Sequence, residues 1–150
     1  ITTRYSSNAV IAEAIKSADM VIGAVLIPGA AAPKLISRAQ LATMRQGAVL
    51  VDVAIDQGGC FETSHATTHD EPTYMVDGIV HYCVANMPGS VPRTSSEALN
   101  NATLPHVLAL ADKGAAALDD SSHLANGLNV AGGKIVYQAV LDAIGEELSA

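Results

Sequence analysis

Apolar residues change their spacing several times along this chain, and each change marks a structural element. Val10, Ile11, Ala14, Ile15 and Ala18 recur at helical intervals behind the candidate caps Ser7 and Asn8. From Met20 to Ile27 the pattern becomes a continuous apolar run closed by Pro28 and Gly29, which predicts a strand buried on both faces. Ser37 and Gln40 have the spacing of a capping box ahead of Leu41 and Met44, and Gly47 stands where a helix-ending glycine belongs. Ala48 to Ile55 predicts a second buried strand, interrupted only by Asp52, and Gly78 to Ala85 predicts a third. Helices alternating with continuous apolar strands predict an α/β chain with a parallel sheet and crossover helices.

Between the second and third strands lies a long segment, Asp56 to Asp77, rich in Gly, Thr, His and Asp. It reads as one loop, and loops of that length tend to carry function or to stay disordered. Farther on, Thr94 and Glu97 predict another capping box, and Pro105 predicts a break or kink in the helix that follows. Leu104, Val107, Leu108 and Ala111 continue an apolar stripe up to Lys113 and Gly114. Residues 115–133 read as irregular. Val136, Ala139, Val140, Ala143 and Ile144 then predict a terminal amphipathic helix.

Composition narrows the class. The 150 residues are 49% hydrophobic and 15% charged, which suits a globular protein with a buried sheet. Four Tyr, one Phe and no Trp leave the core to aliphatic side chains. A formal net charge of -7 argues against nucleic acid and anionic membranes as partners, because both select a basic surface. No apolar run approaches the roughly 20 residues of a membrane span, and no basic stretch leads into an apolar one at the start. Cys60 and Cys83 lack metal-ligand spacing and read as reduced, unreactive thiols of a cytosolic protein. The first residue is Ile1 rather than Met, so a longer parent polypeptide is the expectation.

In open parallel sheets, ligands bind beyond the carboxyl ends of the strands. Three such ends are legible here. The first offers the apolar edge Val25, Leu26 and Ile27; the second offers Asp56 with Gly58 and Gly59; the third offers Asn86 and Met87. An acid, an amide and apolar edges in one layer suit a nucleotide or substrate, although Asp, Asn, Gly and Pro are also ordinary turn residues. Asp52, inside a buried strand, calls for a donor on neighbouring backbone. The five histidines, His65, His69, His81, His106 and His123, are scattered and read mostly as surface or helix-face residues. The Gly-x-Gly-x-x-Gly phosphate fingerprint is missing, as is the ribose-binding acid that follows it. The pattern is the second half of a Rossmann-type doubly wound sheet without the half that grips pyrophosphate.

The motifs that carry a family resemblance are DMVIGAVLIPG at 19–29 with APKLI at 32–36, VDVAIDQGGC at 51–60, TTHD at 67–70, YCVANMPG at 82–89 and LNNAT at 99–103. Together they resemble the alanine dehydrogenase and transhydrogenase α-subunit family, in its C-terminal part, over nearly the whole chain. The 51–60 segment resembles the dehydrogenase branch. In the transhydrogenase branch the acid matching Asp56 is usually missing and an Asn follows the glycines.

The resemblance implies NAD-dependent, reversible oxidative deamination of L-alanine to pyruvate and ammonium. It implies that Asp56 is the catalytic carboxylate near nicotinamide and substrate. It assigns cofactor contacts to Ser6, Val25, Leu26, Val53, Ala54, Ile55, Asp56, Val84, Ala85, Asn86 and Met87, with Asn86 also facing the substrate. His65 stands where some relatives place an Arg near the cofactor. The family's catalytic Lys and His lie in an N-terminal substrate domain that nothing here matches, so this fragment is expected to be inactive alone. The Glu and His that bind magnesium in some members fall near Ala109 and Lys113, so no metal is expected.

By the same resemblance, residues 1–92 are a partial NAD-binding Rossmann domain and 93–114 a crossover helix. Residues 115–150 return to the missing substrate domain. A cytoplasmic homohexamer is the expected parent. Two alternatives stand beside this reading: a nucleotide-binding domain of a proton-translocating transhydrogenase, and a non-catalytic Rossmann-like assembly module. More distantly, D-2-hydroxyacid dehydrogenases share the helix, the glycine and the Val-rich strand but carry an Arg-Gly pair where this chain has Ile55 and Asp56.

Overall fold

A computed structural model describes residues 1–148 and divides them into two compact units. One comprises Ile1–Ile27 with Ala31–Met87, the other Pro28–Ala30 with the chain from Pro88 onward. The first unit holds helix α1 (Asn8–Ile15), strand β1 (Met20–Gly23), the single-turn helix α2 (Arg38–Leu41), and strands β2 (Val49–Asp52), β3 (Thr73–Val76) and β4 (Ile79–Tyr82). The sheet order is β1-β2-β4-β3. β1, β2 and β4 run parallel, with Val21 opposite Leu50 and Leu50 opposite His81, and β3 adds antiparallel to β4. The α/β, parallel-dominated architecture is the one the apolar pattern predicts.

Local chemistry explains the helix starts. Ser7 Oγ accepts the Val10 N–H at 3.3 Å, capping α1. Gln40 Oε1 accepts the Ser37 N–H at 2.7 Å, the back-bond of the predicted capping box. Gly47 does not end α2, which stops at Leu41. It turns the chain into β2 instead, its N–H bonded to the Gly78 carbonyl at 2.9 Å.

The strands are shorter than their apolar runs, and the first is not buried on both faces. β1 ends at Gly23, and its Met20 and Ile22 stand 57% and 61% exposed. Only one face of β1 is packed, so its apolar run hides an ordinary in–out alternation. β2 ends at Asp52, where Val53–Gln57 tightens into a 3-10 turn, and β4 spans only Ile79–Tyr82. The expected loop from Asp56 to Asp77 contains β3, which joins β4 through Asp77 and Gly78. Both residues have positive φ, 51° and 81°, the form of a two-residue hairpin turn whose twist matches the strands. Arg38 holds Asp77 with Nε and Nη2, at 3.0 and 3.2 Å.

The core of this unit is aliphatic apart from its single Phe. Ile15, Ile36, Leu41, Leu50, Phe61 and Ile79 are each at most 2% exposed, and full burial of such a side chain contributes roughly 1.5–3 kcal/mol. The segment after α1 and β1 is tied in by Leu35 N–H to the Cys60 carbonyl at 2.7 Å and by a parallel bridge of Ile36 with Phe61.

The second unit contains helix α3 (Pro92–Lys113), short helices α4 (Ala117–Asp120) and α5 (Ser122–Asn126), the two-residue strands β5 (Val130–Ala131) and β6 (Lys134–Ile135), and helix α6 (Gln138–Leu148). Three expectations change here. α3 starts at Pro92, ahead of the Thr94–Glu97 pair, because proline presets the first helical turn. Pro105 neither breaks nor ends it, since the Asn101 carbonyl it leaves without an amide donor lies on an exposed residue open to water. The stretch 115–133, expected to be irregular, is mostly short helix and hairpin. The terminal helix is present; the last two positions of the expected 115–150 segment lie outside the described residues.

Gly23 closes β1 against the core: a Cβ there would overlap the Cys60 Sγ and the Phe61 ring, both fully buried. Gly23→Ala is therefore expected to destabilise the protein by about 1–3 kcal/mol. Chemical denaturation reads the shift, and an unchanged midpoint would contradict this packing.

Candidate functional site

Because β1, β2 and β4 are parallel neighbours, the segments leaving them, 24–27, 53–57 and 83–87, emerge at one end of the sheet. The middle segment is shaped by Asp52, the last residue of β2 and wholly buried. Its Oδ1 accepts the Ala54 N–H at 3.1 Å and the Cys60 thiol at 3.4 Å. Its Oδ2 accepts the Cys60 N–H at 2.8 Å, the Phe61 N–H at 3.4 Å and the Ser64 hydroxyl at 2.5 Å. The backbone donor expected for Asp52 is thus present several times over. Gly59 passes so close that a Cβ would meet Asp52 Oδ2 and Ser64 Cβ. Burial, with the Asp52 charge beside it, pushes the Cys60 thiol up to about 12, so it donates rather than attacks. Both cysteines are free and buried.

Around this carboxylate the turn sorts its side chains. Ala54 and Ile55 point into the protein, 6% and 7% exposed, and their carbonyls accept the Gly59 and Gly58 N–H groups at 3.0 Å. Val53 is 48% exposed and Asp56 is exposed. On the neighbouring segment Val25 packs on the core while Leu26 is 74% exposed. On the third, Val84 is fully buried and Asn86 is exposed in a left-handed conformation, φ 59°, which Asn tolerates. The strand ends therefore bring together Leu26, Val53, Asp56 and Asn86 as exposed side chains, while Ala54, Ile55 and Val84 turn inward. Met87, half-buried, begins the 3-10 turn Met87–Ser90, and Ala85 is half-buried with its N–H on the Thr67 carbonyl at 3.1 Å. Ser6 is not brought to this group. It lines a separate cavity of about 520 Å³ with Arg4, Val10, Ile11 and Ala14.

Three residues outside the sequence-based set hold the site. Gln57 pairs its carboxamide with the Ile27 peptide, and Lys34 Nζ donates to the Gly58 and Gly59 carbonyls at 2.6 and 2.8 Å. His69 Nε2 lies 3.0 Å from the Asn86 carbonyl, which can only accept, so this nitrogen carries the proton. All three lie within the family motifs, but each acts across folded distance, 30 residues for Gln57, 24 and 25 for Lys34 and 17 for His69, so local spacing does not reveal their partners.

The loop beyond Ser64 is carried by stacked rings: His65 on Tyr74 at 3.7 Å and Tyr74 on His81 at 4.9 Å. The Tyr74 hydroxyl donates to the Thr63 carbonyl at 2.9 Å and accepts the His65 N–H at 2.9 Å. His81, fully buried on β4, departs from the surface role expected for most histidines. Its Nδ1 donates to the Ile79 carbonyl at 3.0 Å, so its Nε2 accepts the Thr63 hydroxyl at 2.7 Å. Among the described residues no group of three His, Cys, Asp or Glu side chains is placed to hold a metal ion, and no helix is long and apolar enough to cross a membrane.

A parallel α/β sheet with an exposed carboxylate and apolar side chains at its strand ends places them where open α/β sheets bind their ligands. Residues 1–138 match the family described as "Alanine dehydrogenase/PNT, C-terminal domain", and the chain belongs to that family. It is 64% identical over 146 residues to the alanine dehydrogenase of Halomonas elongata, covering 97% of this chain and 39% of that protein. It is 54% identical over 149 residues to the alanine dehydrogenase of Bacillus subtilis, covering 98% and 39%. A solved L-alanine dehydrogenase superposes with a TM-score of 0.77 at 51% identity, over 95% of this chain and 39% of that one. A transhydrogenase from Sinorhizobium meliloti superposes with a TM-score of 0.54 at 35% identity, over 59% of this chain and 25% of that one. The chain thus spans about 39% of the length of these dehydrogenases.

Burial lowers the His81 pKa from its ordinary 6.5. The folded state then prefers the neutral ring, so this contribution to stability is complete above about pH 6.5 and is lost as pH falls through the lower folded value. Thermal unfolding is expected to move to lower temperature below about pH 6.5, and His81→Gln to flatten that dependence. An equal slope in the variant would assign the effect to other groups.

Proposed function

We propose that this chain is the nicotinamide-side part of an NAD-dependent alanine dehydrogenase, an oxidoreductase interconverting L-alanine with pyruvate and ammonium. The observation that carries the reading is Asp56: an exposed carboxylate on a braced turn that also bears the exposed Val53, with the exposed Leu26 on the neighbouring segment, at the carboxyl end of a parallel sheet. Similarity to alanine dehydrogenases across nearly the whole chain supports it.

The residues present fit a nicotinamide nucleotide. Exposed apolar side chains suit the faces of a planar ring, and a free carboxylate suits ribose hydroxyls. When bound, that cofactor supplies the hydride acceptor. Asp56 orients the ribose and takes or returns a proton at its carboxylate oxygen during hydration of the imine derived from alanine. Leu26 and Val53 exclude water from the ring, as do the backbones of Ala54, Ile55, Val84 and Ala85. Asn86 presents its amide to the substrate, Met87 closes over the nicotinamide, and Ser6 lies toward the adenine end.

On this reading residues 1–92 are part of the NAD domain, 93–114 form the crossover helix and 115–150 return to a substrate domain that carries the catalytic Lys and His. The parent is a cytoplasmic homohexamer that uses no metal. The likeness to the transhydrogenase keeps a second reading in play, a nucleotide domain that passes hydride to another subunit. Asp56 favours the dehydrogenase.

The purified 150-residue polypeptide is expected to form no NADH from L-alanine, whereas the complete protein does. Turnover by the short chain would overturn the division of labour. An NADH titration of both separates the classes: binding by neither leaves an assembly module, and binding without alanine turnover in the complete protein leaves the transhydrogenase-type reading. In the complete protein, Asp56→Asn is expected to lower kcat by about 10²–10⁴-fold, the usual range for loss of an acid–base group, and to weaken NADH binding by about tenfold, because the same carboxylate is assigned to the ribose. A variant of near-native kcat would remove Asp56 from the chemistry.

A further inference from the structure

We infer that Gln57 is a positioning residue for this reaction: its carboxamide fixes the spacing between the two strand-end segments on which the nicotinamide end of the cofactor rests. The inference rests on the function proposed above.

The parallel ladder of β1 and β2 stops at Gly23 opposite Asp52. Beyond that point β2 tightens into its 3-10 turn while the chain after β1 runs on through Val25, Leu26 and Ile27 without strand pairing. The two segments bear different parts of the proposed floor, Leu26 on one and Val53 with Asp56 on the other. A backbone ladder no longer sets their separation.

Gln57 takes over that task. Its Nε2 donates to the Ile27 carbonyl at 2.9 Å and its Oε1 accepts the Ile27 N–H at 3.3 Å, so one side chain copies both bonds of a strand pair. The Gln57 carbonyl also accepts the Ala32 N–H at 2.9 Å, which anchors the residue itself. The side chain reaches 30 positions back along the sequence and immediately follows Asp56. It therefore joins the carboxylate-bearing turn directly to the opposite lip. The side chain is only half-buried, so its loss opens no core cavity. That separates a positioning role from a stabilising one.

The test uses the complete protein. Gln57→Met keeps the length and removes both bonds; Gln57→Glu keeps the acceptor and, when ionised, faces the Ile27 carbonyl with a charge. For Gln57→Met the NADH dissociation constant is expected to rise about three- to tenfold and kcat to fall about tenfold, as suits two lost hydrogen bonds and a small misplacement, with the thermal midpoint within about 2 °C. For Gln57→Glu the penalty in NADH affinity, taken as a ratio to the unsubstituted protein, is expected to shrink from about pH 8 toward about pH 4, where the new carboxyl, with a reference value near about 4.3, is largely protonated and restores the donor. Asp56 beside it raises the pH at which that carboxyl gains its proton and Lys34 on the following glycines lowers it, so the profile is read against Gln57→Met, which carries no new charge.

If the unsubstituted protein binds NADH and turns over alanine but both variants stay within about twofold of it, the clamp is refuted and the function stands. Activity lost only in step with the thermal midpoint refutes the positioning role as well. If the unsubstituted protein neither binds NADH nor oxidises alanine, the proposed function fails and takes this inference with it.

Discussion

A carboxylate buried at the end of a strand is the constraint around which the first unit is arranged. Withdrawing such a charge from water costs several kcal/mol unless hydrogen bonds replace hydration. Asp52 obtains them from Ala54, Cys60, Phe61 and Ser64, all within the segment that follows it. The requirement acts in both directions. The charge stays buried only because the chain wraps it, and the chain wraps because an ionised acceptor lies at the centre. The end of β2, the 3-10 turn and the close passage of Gly59 are consequences of one side chain.

That wrapping also divides the motif between stability and chemistry. Within Val53–Phe61, Ala54, Ile55, Cys60 and Phe61 face inward, while Val53 and Asp56 face out. A straight strand would have alternated its residues across two faces of the sheet. The tight turn instead sends a compact apolar set to the core and leaves a carboxylate beside an apolar neighbour at the rim. Lys34 acts from a distant part of the chain: its ammonium rests on the two glycine carbonyls and holds the exit of the turn.

Much of this was legible in the sequence. The alternation of helix and apolar run was sufficient for a parallel α/β sheet, and the Ser37–Gln40 spacing for a cap. Strand ends were misjudged because apolarity reports burial and not hydrogen bonding: Ala54 and Ile55 are buried in a turn, and Met20 and Ile22 are exposed in an edge strand. The antiparallel β3 was obscured by polar residues around it, although Asp77-Gly78 between Val76 and Ile79 is a hairpin signal. Pro105 misled because a missing amide is costly only where water cannot reach the carbonyl it leaves behind. Of the candidate site, Asp56, Leu26, Val53 and Asn86 could be placed by motif and topology. The roles of Gln57, Lys34 and His69 could not, since their partners are brought near only by folding.

The bonds to Asp52 have a further consequence, for the order in which the chain can acquire structure. The farthest donor, Ser64, is only 12 residues away, so closing this loop costs little chain entropy compared with the long-range pairings of the sheet. The turn that presents Asp56 can therefore form from a contiguous stretch before β4 is in place. The Gln57 pairing, 30 residues apart, needs β1 already alongside. Loop-closure cost alone thus favours the carboxylate platform ahead of the opposing lip.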